Sequence, residues 1–96
     1  LGRIYQNQGS LSFKVLTGID LSGAETCLLK YKKPDQSEGS FPLTIEEELG
    51  GILRYNLLEG DLDLSGWWTF WAHLTFLGGK SAPGEPVRIF VAPEGS

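Results

Sequence analysis

Trp67-Trp68-Thr69-Phe70-Trp71-Ala72-His73-Leu74-Thr75-Phe76-Leu77 is the longest stretch in the chain that reads with a period of two. Successive side chains of a strand point to opposite faces, so Trp68, Phe70, Ala72, Leu74 and Phe76 form an apolar row directed inward. Trp67, Thr69, Trp71, His73 and Thr75 form the outward row. The stretch is about half the length of a bilayer-spanning helix and carries Thr69, His73 and Thr75, so it is read as a strand and not as a membrane anchor.

The same period recurs on both sides of it, with Gly, Pro, Asp and Ser as punctuation every eight to twelve residues, the layout of an all-β sandwich or barrel. A short strand is expected over Arg3 to Gln6. Leu11, Phe13 and Val15 alternate with Ser12, Lys14 and Leu16 in the next. Thr26 to Lys33 sets Cys27, Leu29 and Tyr31 inward, and Lys33-Pro34-Asp35-Gln36 closes it with a type I turn. Phe41 to Glu46 follows, with Phe41, Leu43 and Ile45 in phase, and Pro42 confines this strand to a sheet edge because it cannot donate to a ladder. Between Ile45 and Leu57 a helix competes, but Gly50-Gly51 would cost a helix about 1 kcal/mol each. The pair instead suits the tip of a hairpin joining Phe41–Glu46 to Ile52–Leu57, with a short helical turn as the alternative. After the long strand, residues 78–86 form a turn or loop and Val87 to Val91 ends the fold. About seven strands result, in a single domain spanning residues 1–96.

The tetrapeptide Asp20-Leu21-Ser22-Gly23 returns 43 residues later as Asp63-Leu64-Ser65-Gly66. Each copy precedes a strand, and aligning the two superposes Cys27 on Phe70 and Leu29 on Ala72, in agreement with the inward phases already assigned. The match is too short for a repeat architecture and is read as one turn used twice.

Composition narrows the chemistry. The 96 residues carry 12 acidic and 8 basic side chains, a net charge of −4, with 41% hydrophobic residues. An acidic balance disfavours nucleic acid as a partner, since phosphate binding draws on clustered Lys and Arg. Cys27 and His73 are the single cysteine and histidine, which excludes an internal disulfide and a cysteine-rich zinc site. A lone thiol fits synthesis in a reducing compartment, and the N-terminus lacks a signal-peptide layout. Glu46-Glu47-Glu48 and the pair Asp61 and Asp63 are read as a solvated hairpin tip and a turn, with no calcium-loop spacing. Gly79-Lys80-Ser81 has the ending of a phosphate loop without its leading glycine or its helix. No catalytic residue, metal ligand or cofactor is expected.

In order and spacing, Asp20-Leu21-Ser22-Gly23-Ala24, Leu29-Lys30-Tyr31-Lys32-Lys33-Pro34-Asp35, Gly66-Trp67-Trp68 through Leu74-Thr75-Phe76 to Gly79, and Pro83-Gly84-Glu85-Pro86-Val87 with Phe90-Val91 are a set. Together they resemble the immunoglobulin-like domain at the N-terminus of tailed-phage baseplate upper proteins, and short phage tail proteins related to it. The resemblance runs over nearly the whole chain. It implies an immunoglobulin-like β-sandwich serving as a non-enzymatic structural module of a phage or prophage tail, made in the bacterial cytoplasm and located in the virion. Its partners would be other tail proteins or further copies of itself, with no membrane and no nucleic acid. A looser likeness to immunoglobulin domains sets Trp68 where a corner tyrosine stands and Phe70 where a cysteine stands, so packing must replace the intersheet disulfide.

The partner-binding candidates are Trp67, Trp71, His73 and Phe90, the last sharing the outward phase with Arg88. Lys30 and Lys32 border them if their strand neighbours the long one. Three readings are open for this face: a protein-docking surface, a sugar platform of exposed tryptophans as in carbohydrate-binding modules, or a second core covered by loops. A small hydrolase is a more distant rival.

Overall fold

The computed structural model describes residues 4–9 and 11–93. Among them lie nine strands and no helix, hence no helix long and apolar enough to cross a membrane. They are β1 (Ile4–Tyr5), β2 (Ser12–Leu16), β3 (Ala24–Lys32), β4 (Glu38–Pro42), β5 (Thr44–Glu47), β6 (Ile52–Asn56), β7 (Gly66–Phe76), β8 (Ser81–Pro83) and β9 (Val87–Ala92). Two sheets form. The larger has the order β1-β9-β7-β3-β4, with β8 also paired to β7, and the smaller has the order β2-β6-β5. All pairings are antiparallel except that of β1 with β9.

The all-β, two-sheet arrangement agrees with the sequence expectation, while three local features differ. The segment from Phe41 to Glu46 is two strands, not one. β4 pairs with β3 in the large sheet, the Leu43 amide still donates to the Cys27 carbonyl at 2.9 Å, and Thr44 then pairs with Arg54 in the small sheet. Pro42 lies at an edge, as expected, because β4 ends the large sheet. Second, the loop after β7 contains β8, which continues the same edge of β7 where β9 stops. Third, among the described residues the first strand covers Ile4 and Tyr5 and stops before Gln6; Arg3 lies outside the described residues.

The two sheets meet on the inward rows. Trp68, Phe70 and Leu74 of β7 are buried, as are Leu29, Phe41, Leu53, Leu57, Leu62 and Val91. Aromatic rings run through the centre: Phe13 meets Phe70 edge-on at 5.1 Å, and Tyr31 lies 5.3 Å from Trp68 and 4.7 Å from Phe41, which stacks on Tyr55 at 4.6 Å. Offset and edge contacts of this kind add to what area burial alone supplies. Trp68, with no exposed surface, donates its indole N–H to the Leu64 carbonyl at 2.9 Å, so its one polar atom is satisfied inside the core. Cys27 is half-buried against the cluster of Leu21, Leu53 and Leu74, and desolvation pushes its thiol pKa up.

The two Asp-Leu-Ser-Gly turns share a left-handed glycine, Gly23 and Gly66, and differ in their aspartates. Asp20 accepts from the Ser22 amide and hydroxyl, an arrangement that Asp35 and Ser37 repeat. Asp63 instead pairs with Lys33 at 2.9 Å.

Candidate functional site

The outward face of the large sheet is assembled by register. Trp67 lies opposite Phe90, Thr69 opposite both Arg88 and Lys32, Trp71 opposite Lys30, and His73 opposite Leu28. Adjacency of β3 to β7 thus places Lys30 and Lys32 beside the aromatic row. The four candidate residues fall on this one face but are not equally open. Trp67 and Phe90 are 52% and 48% exposed, whereas Trp71 and His73 are half-buried.

At the open end the rings support one another. The Trp67 and Phe90 centroids are 5.3 Å apart in an edge contact, and the Arg88 guanidinium lies 4.8 Å over the Trp67 ring. A guanidinium over indole is attracted by the ring quadrupole, by about 0.5–1 kcal/mol at an exposed site, so Arg88 braces the Trp67 ring. Four residues of strand separate Trp67 from Trp71, about 13 Å at 3.3 Å per residue. Arg88, Lys30 and Lys32, with Glu38 opposite Lys32 as the acidic neighbour, leave this face net basic on a chain whose net charge is −4.

Glu46, Asp61 and Asp63 each have partners within the fold. Glu46 is held by a two-point contact from Arg54, which keeps its carboxyl below the ordinary glutamate range, and Lys14 lies 4.0 Å away. Asp61 accepts from the Tyr55 hydroxyl at 2.6 Å and from the Leu58 amide at 2.7 Å. Burial, with this carboxylate beside it, pushes the Tyr55 phenol up to about 12. The Lys33 ammonium, hydrogen-bonded to Asp63, is raised above its usual value and lies 5.7 Å over the Trp68 ring. Among the described residues, no group of three or more His, Cys, Asp or Glu could hold a metal ion.

One feature of the structure had no counterpart in the sequence reading. An open cavity of about 650 Å³ runs along the whole of β2 and under the start of β9. Its signal is Val87, which lies on the inward phase opposite Phe70 and is nonetheless 57% exposed. Nothing in the periodicity of Val87 to Val91 distinguishes an inward residue that is covered from one that is not.

No protein-family model and no curated protein matches the chain.

Proposed function

We propose that this chain is an immunoglobulin-like β-sandwich acting as a non-enzymatic structural module of a phage or prophage tail or baseplate, through protein contacts made by the outward face of β7 and β9. The carrying observation is the pair Trp67 and Phe90, two half-exposed aromatics braced by Arg88 on the outside of a sheet. Aromatics and Arg are the residue types that anchor protein interfaces, and pre-ordered ones lose little side-chain entropy on docking. The basic rim of Lys30, Lys32 and Arg88 suits a partner with an acidic surface.

Three features support the immunoglobulin-like reading. The strand orders β2-β6-β5 and β9-β7-β3-β4 follow B-E-D and G-F-C-C′ of a variable-type domain. The Trp68 indole reaches back to a carbonyl four residues upstream, the part a corner tyrosine plays at the start of strand F. Phe13 and Phe70 stand on the strands that the intersheet disulfide would join, with Tyr31 of β3 packed 6.4 Å from Phe70 where a core tryptophan would lie. Placement in a virion tail rests on the sequence resemblance.

The carbohydrate-binding alternative needs an indole face open for stacking, and Arg88 already lies over Trp67. Two measurements separate these readings. Antibody labelling of phage particles induced from the bacterium carrying this gene is expected to mark the tail tip, and unlabelled tails would overturn the placement. A glycan array probed with the purified chain is expected to stay blank; binding abolished by Trp67→Ser would establish the sugar platform instead.

A further inference from the structure

Among the described residues the small sheet ends on β2, with no strand beside its far edge. In the antiparallel pairing of β2 with β6, Leu57 N–H donates to the Leu11 carbonyl and Thr17 N–H to the Gly51 carbonyl. Bonded and non-bonded pairs alternate, so Phe13 with Tyr55 and Val15 with Leu53 also exchange hydrogen bonds. The N–H and C=O groups of Ser12, Lys14 and Leu16 therefore point away from β6, and no described residue bonds to them. Beneath this edge lies the cavity of about 650 Å³, lined by the inward side chains Phe13, Val15, Ala72, Leu74, Val87 and Ile89. Val87, on an inward phase and 57% exposed, is a cavity-lining side chain that no described residue covers.

We infer that β2 and this cavity form an acceptor site for one added β-strand, supplied by an extended segment of another polypeptide. The occupant would be apolar at every second residue, to fill the cavity, with an acidic residue on the solvent side opposite Lys14. Three donors and three acceptors at alternate residues supply the ladder, and side-chain alternation supplies specificity. The acidic position follows from charge. Lys14 faces Arg54 across the strand pair, and Glu46, the nearest carboxylate, is held by Arg54. Glu46 alone serves both cations, and a carboxylate on the added strand gives Lys14 a second opposite-charge neighbour. A second copy is a poor occupant, because twofold pairing of β2 with β2 that uses all three free residues sets Lys14 against Lys14. The inference is independent of the aromatic face, which lies on the other sheet.

The probes are capped peptides, Ser-Val-Thr-Val-Glu-Val-Thr-Val-Ser and its counterpart with Lys at the centre. Added to isotopically labelled wild-type chain, the Glu peptide is expected to shift the amide resonances of Ser12, Lys14 and Leu16 and to slow their hydrogen exchange at least tenfold. The Lys14→Glu variant is expected to weaken the Glu peptide by about two- to five-fold and to strengthen the Lys peptide by a similar factor, the range of a cross-strand charge pair. Lys14→Pro removes the central free N–H without taking a bond from β6 and is expected to abolish binding. The charge-swap arm stands if that variant fails to fold. No binding at millimolar peptide, perturbations confined to other surfaces, an unchanged preference in Lys14→Glu, or wild-type dimerisation through these same amides would each overturn the inference.

Discussion

Replacing Trp68 by alanine tests the core and the strand phase together. Its side chain has no exposed surface, contacts Tyr31 and Phe70, and holds the Leu64 carbonyl through its indole N–H. A large aromatic buries roughly 150–250 Å², which at about 25 cal/mol per Å² amounts to about 4–6 kcal/mol as an upper bound. Measured truncations of buried Phe and Trp cost about 3–5 kcal/mol, cavity included, and that is the expected loss here. For a chain of this size each kcal/mol lowers Tm by about 4–8 °C, so the variant should melt at least about 12 °C below wild type. Trp68→Phe keeps much of the packing but removes the donor to the Leu64 carbonyl and part of the ring, for an expected cost of about 1–3 kcal/mol. Urea unfolding followed by far-UV circular dichroism reads both without relying on tryptophan fluorescence. A loss below about 1 kcal/mol for Trp68→Ala would mean that the side chain is not in the core and that the phase of β7 is inverted.

Alkaline titration followed by phenolate absorbance should show Tyr55 still protonated at pH 11, and Tyr55→Phe should remove that late-titrating tyrosine. Because the folded pKa is raised to about 12 from 10.0, the stabilisation linked to this group is complete below about pH 10 and is lost as pH climbs through 12. Gly51→Ala should lower stability by about 1–3 kcal/mol in thermal melts, since Gly51 has φ +73° and an added Cβ would meet the Ile19 carbonyl and the Thr17 hydroxyl. Zinc, calcium or a chelator should leave Tm unchanged, and a rise of several degrees with calcium would give the acidic groups a role beyond the fold.

Much of the fold was legible because burial and period coincide. The phase of β7 followed from the inward row of Trp68, Phe70, Ala72, Leu74 and Phe76, and the hairpin between β5 and β6 from Gly50-Gly51, which disfavours a helix. Pro42 announced an edge through its missing donor. The sheet switch at Leu43 was not legible, because Phe41, Leu43 and Ile45 keep one inward phase while their pairing partner changes from β3 to β6. Periodicity reports a face and not a neighbour. For the same reason Trp67 and Phe90 could be assigned one phase but not direct contact, and the bond from Lys33 to Asp63 joins residues 30 apart in the chain. The cavity beside β2 depends on no strand of the described residues lying there, which local sequence does not encode.

Docking through the outward aromatic face is tested most directly by the double substitution Trp67→Ser with Phe90→Ser, measured for stability and for association in parallel. The exposed halves of the two side chains offer roughly 150–250 Å², an upper bound of about 4–6 kcal/mol on association at about 25 cal/mol per Å². Thermal melting of the isolated chain and sedimentation with copies of itself and with the tail proteins proposed as its partners supply the two readouts. The expected result is melting close to wild type with association weakened at least a hundredfold; an unfolded double variant, from a wild-type chain that remains a monomer and takes up none of those proteins, would contradict the account.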